Sequence, residues 1–120
     1  MTRTLEISLA AQGDIRRILH TSALEFGNDA RGRYAVLIAT GLEDLRLDPM
    51  CPGSMTRSDL LAGTRTYHLV QCRRRAGRGG KSVKSPRHLI VYATPDPNQV
   101  VVLRVLHDAM ELSGHLGNAE

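Results

Sequence analysis

The chain has 120 residues, of which 42% are hydrophobic, and this fits a single domain with its own core. Aromatic residues make up only 3%, which argues against a base-stacking nucleic-acid surface, and no apolar run approaches the roughly 20 residues of a membrane span. The net charge of +4 is concentrated in residues 73–84, so the rest of the chain is slightly acidic. With no signal-peptide pattern at the N-terminus, we expect a cytoplasmic protein.

The first elements predicted are a strand and a helix. Residues 5–9 alternate apolar and polar side chains, which is typical of a half-buried strand. Ser8 is a good cap for the helix that follows, and Gly27 is a good residue to end it. The apolar face of this helix comprises Ile15, Ile18, Leu19, Ser22, Ala23 and Phe26.

A second helix is predicted from about Asp29 to Leu47, with Asn28 as its N-cap and Asp48-Pro49 at its end. Since only Gly27-Asn28 separates the two helices, they must fold back as an antiparallel hairpin. Gly41 lies in the apolar face, where a close contact would explain a glycine. The other members of that face are Ala30, Tyr34, Leu37, Ile38, Leu42 and Leu45.

The C-terminal half is typical of strands. Met50–Leu61 predicts an irregular loop, Arg65–Cys72 a strand, His88–Ala93 with Gln99–Leu106 a hairpin, and Ala109–Leu116 a short final helix. The order strand, helix, helix, three strands and short helix predicts an α+β fold, with an antiparallel sheet packed against the N-terminal helical hairpin.

The basic, glycine-rich segment at 73–84 is predicted to be a mobile excursion inserted between strands. Three interpretations of its charge are open: a solvated insertion, a contact with an acidic surface of a protein partner, or a contact with DNA. Its cations are Arg73, Arg74, Arg75, Arg78, Lys81 and Lys84.

No motif for cofactor or metal chemistry is visible in the sequence. Gly77-Arg78-Gly79-Gly80 lacks the Lys-Ser/Thr of a P-loop, and the histidines are scattered. Cys51 and Cys72 lack metal-ligand spacing, so they are either plain thiols or partners under oxidation. We therefore expect neither a cofactor nor a metal.

Several motifs resemble the ParE/RelE superfamily of bacterial toxins, and the ParE branch most closely. Glu25-Phe26-Gly27 resembles its helix-ending Phe-Gly, and Gly63-Thr64-Arg65 the opening of its middle strand. Ser85–Tyr92 resembles its Ser-His-x-Ile-Phe-Tyr strand. The most specific match is Arg104–Met110 with His115-Leu116, which resembles the ending Arg-Val-Leu-His-x-x-Met-Asp-x-x-x-His-Leu. The resemblance covers nearly all of residues 5–116, although the basic segment replaces what is usually a tight turn.

This resemblance implies a toxin of a type II toxin–antitoxin system that inhibits DNA gyrase by binding. It also implies neutralisation by a cognate ParD-like antitoxin, which has a ribbon-helix-helix DNA-binding part and a C-terminal segment that wraps the toxin. On this interpretation the chain reaches DNA only through the antitoxin and has no membrane partner.

Two alternatives remain open. Toxins of the RelE branch cleave ribosome-bound mRNA with a Lys/Arg cluster and a late Tyr. Here no Tyr follows Tyr92, and the helical and crossover regions contain no Lys, which argues against this activity. In its favour, the strand arginines could neutralise phosphate, and His107 or His115 could act as acid or base. A ribosome-dependent endoribonuclease is one alternative, and a binding module that keeps the fold without toxicity is the other.

The candidate contacts with target or antitoxin lie on the last strands and in the terminal motif. Arg104 has a structural interpretation as well, an ion pair with Asp14 or Asp44, and Met110 could plug the core instead. The candidates are Arg65, Arg87, His88, Tyr92, Arg104, His107, Met110 and His115.

Overall fold

A computed structural model describes residues 3–77 and 82–110, and within them a five-stranded sheet packs against a helical hairpin. The elements are β1 (Thr4–Ile7), α1 (Leu9–Phe26), α2 (Asn28–Leu47), β2 (Ser54–Thr56), β3 (Thr64–His68), a 3-10 helix (Leu69–Cys72), α3 (Arg73–Ala76), β4 (His88–Asp96) and β5 (Gln99–His107). No helix of this part of the chain is long and apolar enough to cross a membrane.

The strand order β1-β5-β4-β3-β2 confirms the predicted α+β fold. The sheet is mixed, because β1 pairs parallel with β5 while the other neighbours are antiparallel. A bulge at Leu103 interrupts the β4–β5 ladder, since Tyr92 pairs with Val102 and Val91 with Arg104. The predicted final helix is not found at Ala109 and Met110, which lie in a turn after β5; residues 111–116 are outside the described residues.

The helical hairpin begins and turns where the sequence indicated. Ser8 Oγ accepts a hydrogen bond from Ala11 N at 3.1 Å and donates one to Leu103 O at 2.8 Å, so it caps α1 and ties it to β5. Gly27, with φ of 91°, separates the helices. The N-cap of α2 is Gly27, and the prediction of Asn28 was wrong because Asn28 is already the first helical residue.

The main core lies between α2, the 3-10 helix and the sheet. The close contact predicted for Gly41 is confirmed, since a Cβ atom there would lie 2.9 Å from Leu69 Cδ2 and 3.2 Å from Ile90 Cδ1. Phe26 was wrongly predicted to face the core, because its side chain is 72% exposed. Cys51 and Cys72 are free thiols, and Cys72 is fully buried. Other core residues are Leu37, Ile38, Leu45, Tyr67, Leu69, Ile90, Tyr92, Val100, Val102 and Val105.

Two predictions in the middle of the chain were wrong. The loop predicted at Met50–Leu61 contains β2, which pairs with β3. The strand predicted at Arg65–Cys72 ends at His68, because the Nδ1 atom of that histidine accepts a hydrogen bond from Val70 N at 3.0 Å and starts the 3-10 helix. Local polarity does not reveal such a side-chain cap.

The first part of the basic segment is helical, which corrects the prediction of an excursion starting at residue 73. Arg75 donates two hydrogen bonds, of 2.5 and 2.6 Å, to the Asp44 carboxylate, which also accepts one from Tyr67 Oη at 2.8 Å. Arg73 Nε donates to Val83 O at 2.5 Å. The two ends of the segment are therefore joined to each other and to α2, while residues 78–81 lie outside the described residues.

Candidate functional site

A groove of about 1510 Å³ opens where the second half of α1, the start of α2, residues 82–88 and the end of β5 meet. Its floor is apolar, with Phe26 as the most exposed ring. Among the described residues that line it, Glu25 is the one carboxylate. The apolar lining consists of Ile18, Phe26, Ala30, Tyr34 and Val83, and the basic lining of Arg17, Arg33, Arg73, Lys84 and Arg87.

Tyr34 and two histidines form the inner end of the groove. Tyr34 Oη and His88 Nδ1 are hydrogen-bonded at 2.6 Å, and Arg87 N donates to the same hydroxyl at 3.4 Å. The His88 ring stacks edge-on against Tyr34 and His107, with centroids 5.5 and 5.3 Å apart. Burial lowers the pKa of His88 to about 4, helped by the nearby His107. The imidazole is therefore neutral at pH 7 and shares a hydrogen bond with the tyrosine hydroxyl.

Asp108, just after β5, orders the polar groups beside this end of the groove. Its carboxylate accepts hydrogen bonds from Arg87 at 2.9 Å and from His68 Nε2 at 2.9 Å, and these donors lower the pKa of Asp108 to about 2. His68 Nδ1 is already bonded to Val70 N, so both ring nitrogens of His68 are engaged. The arrangement fixes side chains in place and leaves His68 unsuited to move a proton.

Arg104 forms the structural ion pair with Asp14 that was one of its two interpretations. Its Nε and Nη2 atoms lie 2.8 and 2.9 Å from the carboxylate oxygens, and Val105 N donates to the same carboxylate at 3.0 Å. Burial opposes ionisation of Asp14, but these donors and the charges of Arg104 and Arg17 outweigh it and lower the pKa. The Arg104 side chain is 17% exposed, so it contributes to the fold more than to the surface.

Three other predicted site residues lie away from the groove. Tyr92 is fully buried and donates to Pro49 O at 2.5 Å. Arg65 Nε donates a hydrogen bond to Ser54 Oγ at 2.8 Å. Met110, which follows the end of β5, is 39% exposed. His115 lies outside the described residues, as do Arg78 and Lys81. Arg74 is exposed on α3 and does not line the groove.

The groove thus brings together Arg87, His88 and His107 of the predicted site. Sequence reasoning missed Phe26, Arg17 and Arg33, which come from the hairpin. The one available signal was that Phe26 and the two arginines flank the Gly27 turn, but a helical period alone assigns Phe26 to the core.

Within residues 3–77 and 82–110, no group of three or more His, Cys, Asp or Glu side chains could hold a metal ion. What the groove can do chemically is bind a partner that is both apolar and acidic, through an apolar floor and a positively charged rim.

The comparison with family models gives one match, described as the ParE toxin of the type II toxin–antitoxin system parDE, over residues 5–112. No curated protein matches the chain significantly.

Proposed function

Because the chain belongs to the ParE toxin family of type II toxin–antitoxin systems, we propose that it inhibits DNA gyrase by binding and that a cognate ParD-like antitoxin neutralises it. The observation that carries the proposal is the family match, which runs over residues 5–112 and so includes all elements from α1 to β5. The proposal places the chain in the cytoplasm, where gyrase acts.

The groove supports the antitoxin part of this proposal. An amphipathic helix or extended segment can lay apolar side chains on Phe26 and Tyr34, while its acidic side chains meet Arg17, Arg33 and Arg87 at the rim. Exposed aromatic and arginine side chains around a pocket are the residue types that dominate binding energy at interfaces. We therefore assign the groove to the antitoxin segment that wraps the toxin.

The state of two histidines, His68 and His88, favours inhibition by binding over cleavage of RNA. General acid–base catalysis needs a group whose pKa lies near the working pH and whose nitrogen faces the substrate. His88 has a pKa of about 4 and is bonded to Tyr34, and both nitrogens of His68 are engaged within the protein. Neither is placed to act as the proton carrier that a nuclease would require, and His107, which lines the groove and is 42% exposed, is the histidine that stays a candidate for that role.

Inducing the chain in a bacterial host tests the target. Inhibition of gyrase predicts filamentous cells, a DNA-damage response and loss of supercoiling by purified gyrase when the chain is added. Rapid arrest of translation with cleaved mRNA would assign the endoribonuclease activity instead, and unimpeded growth would assign a non-toxic binding module.

A pair of exposed residues on α1 tests the groove. Phe26 lines it and is 72% exposed, whereas Leu24 is 74% exposed and does not line it. Phe26→Ala should weaken binding of the cognate antitoxin by more than about tenfold, as expected for an aromatic anchor. Leu24→Ala is the matched control and should bind as the unmodified chain does. Equal affinities of the two variants would show that the antitoxin does not bind in the groove.

A further inference from the structure

The arginines of the described residues divide into two groups. Most donate from their side chains to a carboxylate, a hydroxyl or a backbone carbonyl, as Arg46 does to Glu43 and Arg57 to Asp59. Arg16, Arg31 and Arg33 on the helical hairpin, and Arg74 on α3, have no such partner within residues 3–77 and 82–110. An arginine whose guanidinium has no such partner among the described residues can bind an external anion.

The hairpin arginines lie close together because α1 and α2 are antiparallel. Arg16 and Arg31 line a second depression, of about 830 Å³, and Arg17 lines both this depression and the groove. Arg33 lies on the groove side of α2. We call this set the hairpin basic surface; it consists of Arg16, Arg17, Arg31 and Arg33. Among the residues that the structure describes, no Asp or Glu lines the depression.

The residue types of the depression favour one class of partner. Apart from Arg16, Arg17, His20 and Arg31, the described residues that line it are Leu19, Thr21, Ala23 and Asn28, so this lining has no aromatic anchor. Protein–protein interfaces have such anchors at their centre, whereas interfaces with DNA are more polar and far more positively charged. Arginine is also the side chain whose planar guanidinium matches a phosphate with two parallel hydrogen bonds.

We propose that the hairpin basic surface binds the phosphate backbone of double-stranded DNA. Its contacts are independent of base sequence, because they reach phosphate and not base edges. Arg16 and Arg31 lie outside the groove lining, so a partner in the groove leaves them accessible. The chain would then touch DNA directly, beyond any contact made through an antitoxin. This inference does not depend on gyrase being the target.

Fluorescence anisotropy with the full chain and a labelled duplex of random sequence tests the proposal. Arg16→Gln/Arg31→Gln removes two cations of the hairpin basic surface, and Arg46→Gln/Arg57→Gln removes the same charge from two arginines that are paired with carboxylates. Each lost phosphate contact reduces the slope of log affinity against log salt by about 0.9. We therefore expect the first pair to reduce the slope by about 2 and the affinity by roughly tenfold, and the control pair to change neither.

Three results would overturn the proposal: no salt-dependent binding of the unmodified chain, equal losses in both double variants, or competition by polyglutamate as effective as that by duplex DNA. The last result would assign the surface to an acidic protein. Circular dichroism and the urea midpoint check that both double variants are folded.

Discussion

Asp14 Oδ2 accepts a hydrogen bond from Arg104 Nε at 2.8 Å, although the two residues are 90 positions apart. The contact occurs where β1 ends. The β1–β5 pairing stops at Ile7 and Val102, and beyond the bulge the Asp14 carboxylate takes the hydrogen bond of Val105 N. Beyond the end of β1, the Asp14 side chain thus supplies the acceptor that a neighbouring strand would otherwise give to β5, and it neutralises Arg104.

Replacing Asp14 should therefore destabilise the protein strongly. Asp14→Ala leaves Arg104 without its carboxylate and Val105 N without an acceptor, and we expect a loss of about 3 kcal/mol in the free energy of unfolding. Urea denaturation measures this change. Glu43→Ala removes the carboxylate of an exposed helical ion pair with Arg46 and is the control, for which we expect no measurable change. Similar midpoints for the two variants would show that the Asp14 contacts do not stabilise the fold.

Two glycines of α2 should respond to alanine in opposite directions. At Gly32 nothing lies within 4 Å of an added Cβ atom, so alanine should raise the free energy of unfolding by up to about 1 kcal/mol through helix propensity. At Gly41 the same atom would meet the buried Leu69 and Ile90 side chains, and overpacking should outweigh that gain by about 1 kcal/mol. Thermal and urea unfolding of both variants measure the difference, and stabilisation by Gly41→Ala would show that the core can yield there.

His88 should make stability depend on pH between 6.5, the ordinary pKa of a histidine, and about 4, its pKa in the folded protein. Its pKa of about 4 in the folded protein lies below the ordinary value of 6.5, so the unfolded chain takes up the proton first as pH falls. The contribution is complete above pH 6.5 and is lost progressively as pH falls from 6.5 to 4. Urea unfolding across this range should show a smaller decrease for His88→Gln than for the unmodified chain. Parallel pH profiles would contradict a buried neutral imidazole.

The sequence predicted elements whose signals are local. The β4–β5 hairpin and both long helices follow from runs of apolar residues at strand or helix spacing, and Asp48-Pro49 marks the end of α2 correctly. β2 was missed because it has only three residues, and its strand conformation depends on pairing with β3. The parallel pairing of β1 with β5 likewise joins opposite ends of the chain.

The groove could not be predicted as a unit, because it is assembled from parts that the sequence separates. His88 and His107 were identified on their strands, but Phe26 and Arg33 reach the same space only through the geometry of the Gly27 turn. Arg104 shows the reverse case. Its motif position indicated recognition, whereas its partner Asp14 makes it part of the fold.

Arg73 donates a hydrogen bond to Val83, and Arg75 donates one to Asp44. Because of these two contacts, the length of the basic segment should have little effect on the stability of the domain. Whatever lies between residues 76 and 82 begins and ends at points already fixed to α2 and to each other, and lengthening a closed loop costs little entropy. Related chains can therefore differ in the number and charge of residues at this position while sharing one core. The segment is a place where partner specificity can diverge without a new fold.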